Sequence, residues 1–334
     1  MPEPPVLVTG GSGVVGGAIV RRLVKEGGRP VRALARSDAA AEKVRALGAE
    51  PVRGDVAEVE SLLPAVDGCE VVYHAAGVNQ FCQKSSIPMR RVNVTGSANV
   101  AQAAAMAGLR RMVYTSSAVT LGEPEGTVGD EQSPHRGSFL SAYERSKYDA
   151  EQTVLGLTTV VPLQIVSVNP SSVQGPGRSS GTGQLLVAFL QGRLKYWVDT
   201  TVSLVDIDDC AEGHVLAETA GVSGQRYVLN GGSLGTTELI AVMGRIAPGL
   251  SPPRVVPKAA ARMAVGASVV SSKLRGRSPE VCGESLRTLL HGHRYDGSRA
   301  ARELGVAYRP VEETLRRTAE WLVESGQAPA GVLG

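Results

Sequence analysis

Eight residues near the N-terminus, Thr9-Gly10-Gly11-Ser12-Gly13-Val14-Val15-Gly16, constrain this chain more than any other stretch. They follow an apolar run, Val6-Leu7-Val8, and lead into residues 14–25, where Val15, Ile19, Leu23 and Val24 recur at helical spacing before Gly27-Gly28. A pyrophosphate needs a tight turn, no Cβ where the backbone approaches it, and a helix N-terminus whose free N–H groups point at the charge. Gly10, Gly13 and Gly16 meet these needs, with Ser12, Val14 and Val15 beside them in the same loop. In isolation the glycines also suit an ordinary strand–helix turn. Further strand–helix units after them favour a dinucleotide site.

Those units predict strands over residues 31–35, 51–53, 70–74, 112–114 and 163–168, and helices over 14–25 and 92–107. Short apolar strands without alternation suit a sheet covered on both faces. The expected fold is α/β, a Rossmann-type doubly wound parallel sheet with helices on both faces, over residues 1–168. Residues 169–183 are rich in Pro, Gly and Ser, and the rhythm changes after them. A smaller C-terminal α/β substrate-binding domain, 169–334, is expected to interleave with the sheet edge.

The 334 residues are 43% hydrophobic and 20% charged, which excludes a disordered chain, and a net charge of +3 argues against nucleic acid as a partner. Cys69, Cys82, Cys210 and Cys282 are widely spaced and form no C-x-x-C pair, so neither a metal site nor a disulfide is expected. The N-terminus lacks a basic segment leading into an apolar one. The uncharged apolar stretch near residues 263–272 is half the ~20 residues of a spanning helix. A soluble, cytoplasmic protein follows as the expectation. Residues 257–274 read as an amphipathic cover able to rest on a membrane surface, or as a plain packed helix.

The second strand bears on which dinucleotide binds. An NAD site offers a carboxylate to the ribose 2′-hydroxyl about 20 residues past the loop, whereas an NADP site offers Arg to a 2′-phosphate. Here the strand ends in Arg36, with Ser37 beside it and Lys43 beyond, and Asp38 lies past the strand end. NADP(H) is the expected cofactor, with NAD(H) as the alternative. Further on, Ser141 is a natural N-cap for a helix carrying Tyr143 and Lys147 one turn apart on one face. A phenol near pKa 10 works as an acid–base at neutral pH only if a cation stabilises its anion, and Lys147 is positioned for that. Tyr-x-x-x-Lys is common by chance; it matters because Thr115-Ser116-Ser117 lies upstream at a strand's C-terminal end.

These residues together resemble the extended short-chain dehydrogenase/reductases over nearly the whole chain. The resemblance runs through the glycine loop, Gly54-Asp55-Val56, His74-Ala75-Ala76-Gly77, Asn93-Val94-Thr95-Gly96 and Tyr114-Thr115-Ser116-Ser117-Ala118. It continues through Tyr143-x-x-Ser146-Lys147, Asn169-Pro170-Ser171-Ser172-Val173 and Val205-Asp206-Ile207-Asp208-Asp209. The finer likeness is to the dihydroflavonol-reductase, 3β-hydroxysteroid-dehydrogenase and hopanoid-associated epimerase-like branch. It implies that Ser117 hydrogen-bonds the reacting oxygen, that Tyr143 is the acid–base and that Lys147 tunes it. It further implies that Asp55 and Val56 contact the adenine and that Ala75, Ala76 and Gly77 line the cofactor. Pro170, Ser171, Ser172 and Val173 would reach the nicotinamide amide, and Thr115, Tyr143 and Lys147 would border the same end. Asn93 would support the site structurally. Relatives pair through helices equivalent to 92–107 and 141–157, so a homodimer is implied.

Departures narrow the chemistry. Dehydratases of this superfamily carry Asp-Glu after the catalytic hydroxyl residue, whereas Ala118-Val119-Thr120 follow Ser117 here. Many nucleotide-sugar members carry a diphosphate-binding Arg where this chain has Val202, although Arg178, Arg193 and Lys195 are available substitutes. A largely apolar substrate is therefore expected, held by Asn79, Phe81, Cys82, Phe139, Gln174 and Trp197. The reading is an NADP(H)-dependent oxidoreductase interconverting a ketone or aldehyde and an alcohol. A sugar epimerase of the hopanoid-associated type is the alternative, and a non-catalytic NADP(H) sensor is a remote one. Gly231-Gly232-Ser233-Leu234-Gly235 fits a hydrolase nucleophile pattern but lies far from the main sheet's crevice.

Overall fold

A computed structural model describes residues 3–179, 181–263 and 282–334. Its strands in chain order are β1 (Val6–Thr9), β2 (Val31–Ala35), β3 (Glu50–Arg53), β4 (Val71–His74), β5 (Arg111–Thr115) and β6 (Gln164–Pro170), then β7 (Ser172–Gln174), β8 (Tyr196–Val198), β9 (Thr201–Asp206), β10 (Arg226–Leu229), β11 (Gly232–Gly235) and β12 (Arg254–Val256). The helices are α1 (Val14–Glu26), α2 (Asp38–Ala46), α3 (Val59–Val66), α4 (Ile87–Arg90), α5 (Gly96–Met106) and α6 (Ala142–Gly156), followed by α7 (Gly183–Leu190), α8 (Ile207–Thr219), α9 (Thr236–Ile246), α10 (Gly283–His291), α11 (Ser298–Glu303) and α12 (Val311–Glu324).

Seven parallel strands form the main sheet in the order β10-β6-β5-β4-β1-β2-β3. The chain steps one way from β1 to β2 and β3, and the other way from β4 to β5 and β6. The crevice beyond the C-terminal ends of β1 and β4 is thus the topological switch point where such sheets bind ligands. Both faces are buried. Val6 and Val8 of β1 pack with Ile19, Val20 and Ala211 of α1 and α8, whereas Leu7 packs with Leu62, Val100 and Val154 of α3, α5 and α6. That two-sided burial explains why the strands read as unbroken apolar runs.

The second half of the chain completes this sheet through β10 and covers it through α8. It also forms its own core, in which Leu186, Trp197, Leu204, Met243, Leu315 and Leu322 bring together α7, α9, α12, β8 and the small sheet β11-β9-β7. The helix expected over 92–107 starts earlier, at Ile87, and contains a π turn over Arg91–Thr95. Asn93 sits in that turn and is the one buried side chain of it. Single π turns inside α-helices recur at functional sites.

The cysteine expectation is corrected. Cys82 and Cys282, 200 residues apart in sequence, have their Cα atoms 6.1 Å apart and their sulfurs in disulfide contact. Spacing along the chain carried no trace of this, because the contact depends on how α10 returns to the loop after β4. Cys69 and Cys210 are buried and free. Part of the expected cover, residues 264–274, lies outside the described residues. Among the described residues, no helix is long and apolar enough to cross a membrane.

Candidate active site

The glycine loop has the geometry a phosphate cradle requires. Gly10 has φ +75°, and a Cβ there would lie 2.6 Å from the Ala76 amide nitrogen. A Cβ on Gly16 would run into the Gly10 carbonyl oxygen. The Gly13 N–H donates to that same carbonyl at 2.9 Å, closing the turn. Gly13 is the N-cap of α1 and supplies no side-chain acceptor, so the first-turn N–H groups at Val14, Val15 and Gly16 face the loop mouth without a cap. Ser12 is exposed beside them. A dinucleotide fits this cradle.

The remaining cofactor candidates border the same crevice. Arg36 directly follows β2 with 68% of its side chain exposed and lies 4.0 Å from Asp55. Asp38 is occupied by Arg53 at 3.0 Å. Lys43 is exposed on α2. Asp55 is partly buried and caps its own turn by accepting from the Ala57 N–H. Val56, by contrast, is buried in the core beneath α5. The Ala75 N–H donates to the Thr9 carbonyl and the Ala76 N–H to the Thr9 hydroxyl, which ties the ends of β1 and β4 together. Gly77 is exposed above Asn93.

Ser117, Tyr143 and Lys147 converge where β5 ends. Ser141 caps α6 by accepting from the Glu144 N–H at 3.1 Å, which sets the phase of the helix. Burial pushes the Tyr143 phenol up, against a hydrogen bond with Ser117 and the positive charge of Arg178. Lys147 donates to the Thr115 carbonyl at 2.8 Å and the Tyr114 hydroxyl at 3.1 Å. Burial pushes its ammonium down to about 8, with the Glu151 carboxylate opposing that shift. Arg178 is thus a further cation acting on the phenol, while Lys147 is anchored to β5.

A polar layer behind these residues escaped sequence reasoning. Glu151, fully buried on α6, accepts from Thr120 and Ser167 and also pairs with Asn169 and Arg226. Asn169 in turn donates to the Ser117 carbonyl at 3.3 Å. Glu151 lies one turn past Lys147, and that spacing was its only sequence signal. Asn93 accepts from the Val78 N–H and donates to the Val78 carbonyl and the Ser146 hydroxyl, joining the loop after β4 to α6. Two further buried histidines are held neutral. Burial lowers His74 to about 3 and His214 to about 4. His214 contacts the Thr115 hydroxyl at 2.9 Å.

The substrate candidates divide. The Phe81 ring lies 6.0 Å from that of Tyr143. Gln174 and Trp197 line a narrow cavity of about 30 Å3 together with Leu186, Val202, Leu239 and Met243. Phe139 instead packs on His135 and Tyr148 beneath Arg145, on another side of α6 from the Tyr143–Lys147 pair. Asn79 is exposed, and Cys82 is engaged with Cys282. At the far end of the nicotinamide candidates, Pro170 ends β6, Ser171 and Val173 are buried, and Ser172 bonds Thr182. Ser233 lies in β11, hydrogen-bonded to Ser203, in an antiparallel pairing rather than a nucleophile turn.

The model of the NAD dependent epimerase/dehydratase family matches residues 6–230. The chain belongs to that family. It is an NAD(P)-dependent oxidoreductase of the extended short-chain dehydrogenase/reductase type. It is 32% identical to a putative dihydroflavonol 4-reductase of Synechocystis sp., covering 96% of this chain and 94% of that one. It is 29% identical to the sterol demethylase protein B of Methylococcus capsulatus, covering 96% and 98%. Among solved structures, the crystal structure of gox2253 matches with a TM-score of 0.83 at 30% identity, over 98% of this chain and 100% of that one.

Proposed function

We propose that this family member is an NADP(H)-dependent oxidoreductase that interconverts a ketone or aldehyde and an alcohol on a small, largely apolar substrate. The observation that carries the reading is Val202. Where nucleotide-sugar relatives would place a diphosphate-binding Arg, this side chain lines an apolar cavity with Leu186, Trp197, Leu239 and Met243. The Val202 side chain offers a diphosphate no bidentate partner. No acid directly follows Ser117 either: Ala118 is buried, and the Thr120 hydroxyl bonds its own turn and Glu151. Elimination chemistry therefore lacks its proton carriers. Arg178, whose charge reaches Tyr143, is the feature that favours a charged substrate and hence the epimerase reading. Isothermal titration separates the two. Tight binding of a nucleotide sugar, with no turnover on a panel of apolar ketones, would defeat the proposal.

When bound, the nicotinamide cofactor supplies the hydride. The chain's own residues handle the oxygen and its proton. Ser117 donates a hydrogen bond to the carbonyl oxygen, orienting it and stabilising charge as it develops. Tyr143 gives its phenolic proton to that oxygen in reduction and takes it back in oxidation. Lys147, held by Thr115 and Tyr114, keeps a positive charge one helical turn away for the ribose and the phenolate.

Cofactor choice rests on Arg36, exposed at the end of β2 where a 2′-phosphate would lie, with the nearby Asp38 engaged by Arg53. A charge-assisted pair of this kind is worth about ten- to a hundredfold in affinity. NADPH is expected to bind about that much tighter than NADH in fluorescence titrations, and Arg36→Ala to erase most of the difference. Equal affinities in the unmodified protein would refute the assignment.

The homodimer belongs to the same proposal. Ile87 at the start of α4 and Met106 at the end of α5 are both large exposed apolar residues, at 74% and 65%. They flank the helical stretch that would pair with α6 across a two-fold axis. Light scattering at micromolar concentration is expected to give twice the 34.8 kDa chain mass. A monomer at that concentration would rule the dimer out.

A further inference from the structure

Outside the catalytic cluster, Glu123, His291 and His293 bring their ligand atoms within 4.8 Å of one another. Glu123 stands six residues after Ser117 and is 1% exposed. His291 ends α10 and His293 follows Gly292, whose left-handed backbone (φ +71°) turns the chain between them. That turn puts the two imidazoles side by side with ring centroids 4.6 Å apart, although residues two apart at a helix end would otherwise diverge. One carboxylate oxygen, Oε1, faces His293 Nδ1 at 2.6 Å and His291 Nε2 at 3.3 Å. The Tyr295 hydroxyl lies 2.9 Å from His293 Nδ1.

The hydrogen bonding of the cluster is incomplete, unlike that of the fully buried His74 and His214, although His135 Nε2 also lacks a partner. His74 uses both ring nitrogens, on Thr9 and Ser97, and His214 uses both, on Thr115 and Cys210. In the cluster, Glu123 Oε2, His291 Nε2 and His293 Nε2 are all buried without a hydrogen-bond partner. Unpartnered atoms on three adjoining residues call for an explanation, because buried polar groups are ordinarily satisfied. The neighbouring Arg136 guanidinium is paired with Glu144, so its charge does not repel a cation outright.

We propose that Glu123, His291 and His293 form a binding site for one Zn2+-class divalent cation, clamping the segment after Ser117 to the C-terminal segment, with the Tyr295 oxygen beside the open coordination position. Two imidazoles and one carboxylate are a zinc donor set, whereas Mg2+ and Ca2+ call for oxygen ligands throughout. Zn2+ takes the place of the ring proton between His293 Nδ1 and Glu123, and that proton moves to His293 Nε2, leaving a neutral imidazole as the ligand. The proposal uses no residue of the glycine loop and does not depend on the proposed substrate.

Chelator-treated full-length protein titrated with ZnCl2 by calorimetry is expected to take up one equivalent, with a rise in the unfolding midpoint. Glu123→Gln and His293→Asn are each expected to weaken uptake by about a hundredfold or more, since even outer partners of a metal site cost 10–100-fold. Co2+ bound to the unmodified protein should show tetrahedral ligand-field bands without thiolate charge transfer, which keeps the test valid if either variant misfolds. Uptake unchanged in both folded variants, no uptake at all, Mg2+ preferred to Zn2+, or a cobalt–thiolate band pointing to Cys82 and Cys282 would each overturn the proposal.

Discussion

Tyr143→Phe is expected to lower turnover by about 10²–10⁴, the range ascribed to a positioned general acid–base, while leaving cofactor affinity nearly constant. The substitution removes one hydroxyl, and that hydroxyl is the group hydrogen-bonded to Ser117. The ring stays, so the contact with Phe81 at 6.0 Å stays with it. The glycine loop and Arg36 are untouched, which is why binding should not follow turnover down. Single-turnover rates measured with saturating cofactor separate these two readouts. Burial raises the Tyr143 pKa, so the phenol is the protonated form near neutrality and is ready to donate in the reducing direction. Oxidation needs the phenolate instead, and its rate should climb with pH through the range in which Tyr143 ionises. Near-normal turnover in the Phe variant would mean that another group carries the proton.

Much of this site is legible in the sequence because its requirements are local. Gly10, Gly13 and Gly16 are dictated within eight residues by a turn, a helix start and a backbone contact, and the structure has all three. Ser141 announces α6 because an N-cap is a property of one residue and the N–H three positions on. Helix spacing then puts Tyr143 and Lys147 on one side. What the sequence hides is any contact whose partner is remote. Cys82 meets Cys282 across 200 residues, and Glu123 meets His291 and His293 across nearly as long a stretch. Neither pair has a spacing rule. Phe139 is aromatic and lies in the expected pocket loop, yet it faces Tyr148, because a loop's orientation depends on the helix it packs against. The π turn at Arg91–Thr95 is hidden for the same reason, since its buried residue, Asn93, serves Val78 and Ser146 on other elements.

Lys147 should also set a pH dependence of stability, separable from its part in catalysis. Its folded pKa is depressed to about 8 by burial, below the usual lysine value. Below pH 8 both folded and unfolded chains carry the proton, and the folded state bears the full cost of the buried charge. Between pH 8 and about 10.5 the unfolded chain binds more protons than the folded one, so stability rises with pH. Above that window the lysine is neutral in both states and the cost is gone. The contribution across the window is about 3 kcal/mol at 1.36 kcal/mol per pKa unit. Lys147→Met has no charge to bury, so its own stability should lack that rise. Urea unfolding at pH 7 and pH 10.5 should therefore show wild type gaining about 3 kcal/mol on the variant between the two conditions. Loss of the bonds to Thr115 and Tyr114 shifts the variant by a constant amount and cancels in that difference. Activity should fall in the same variant even where its stability at pH 7 equals or exceeds that of wild type. A wild-type-minus-variant gap that stays flat from pH 7 to 10.5 would show that Lys147 titrates as an ordinary lysine, and the depressed value would be wrong.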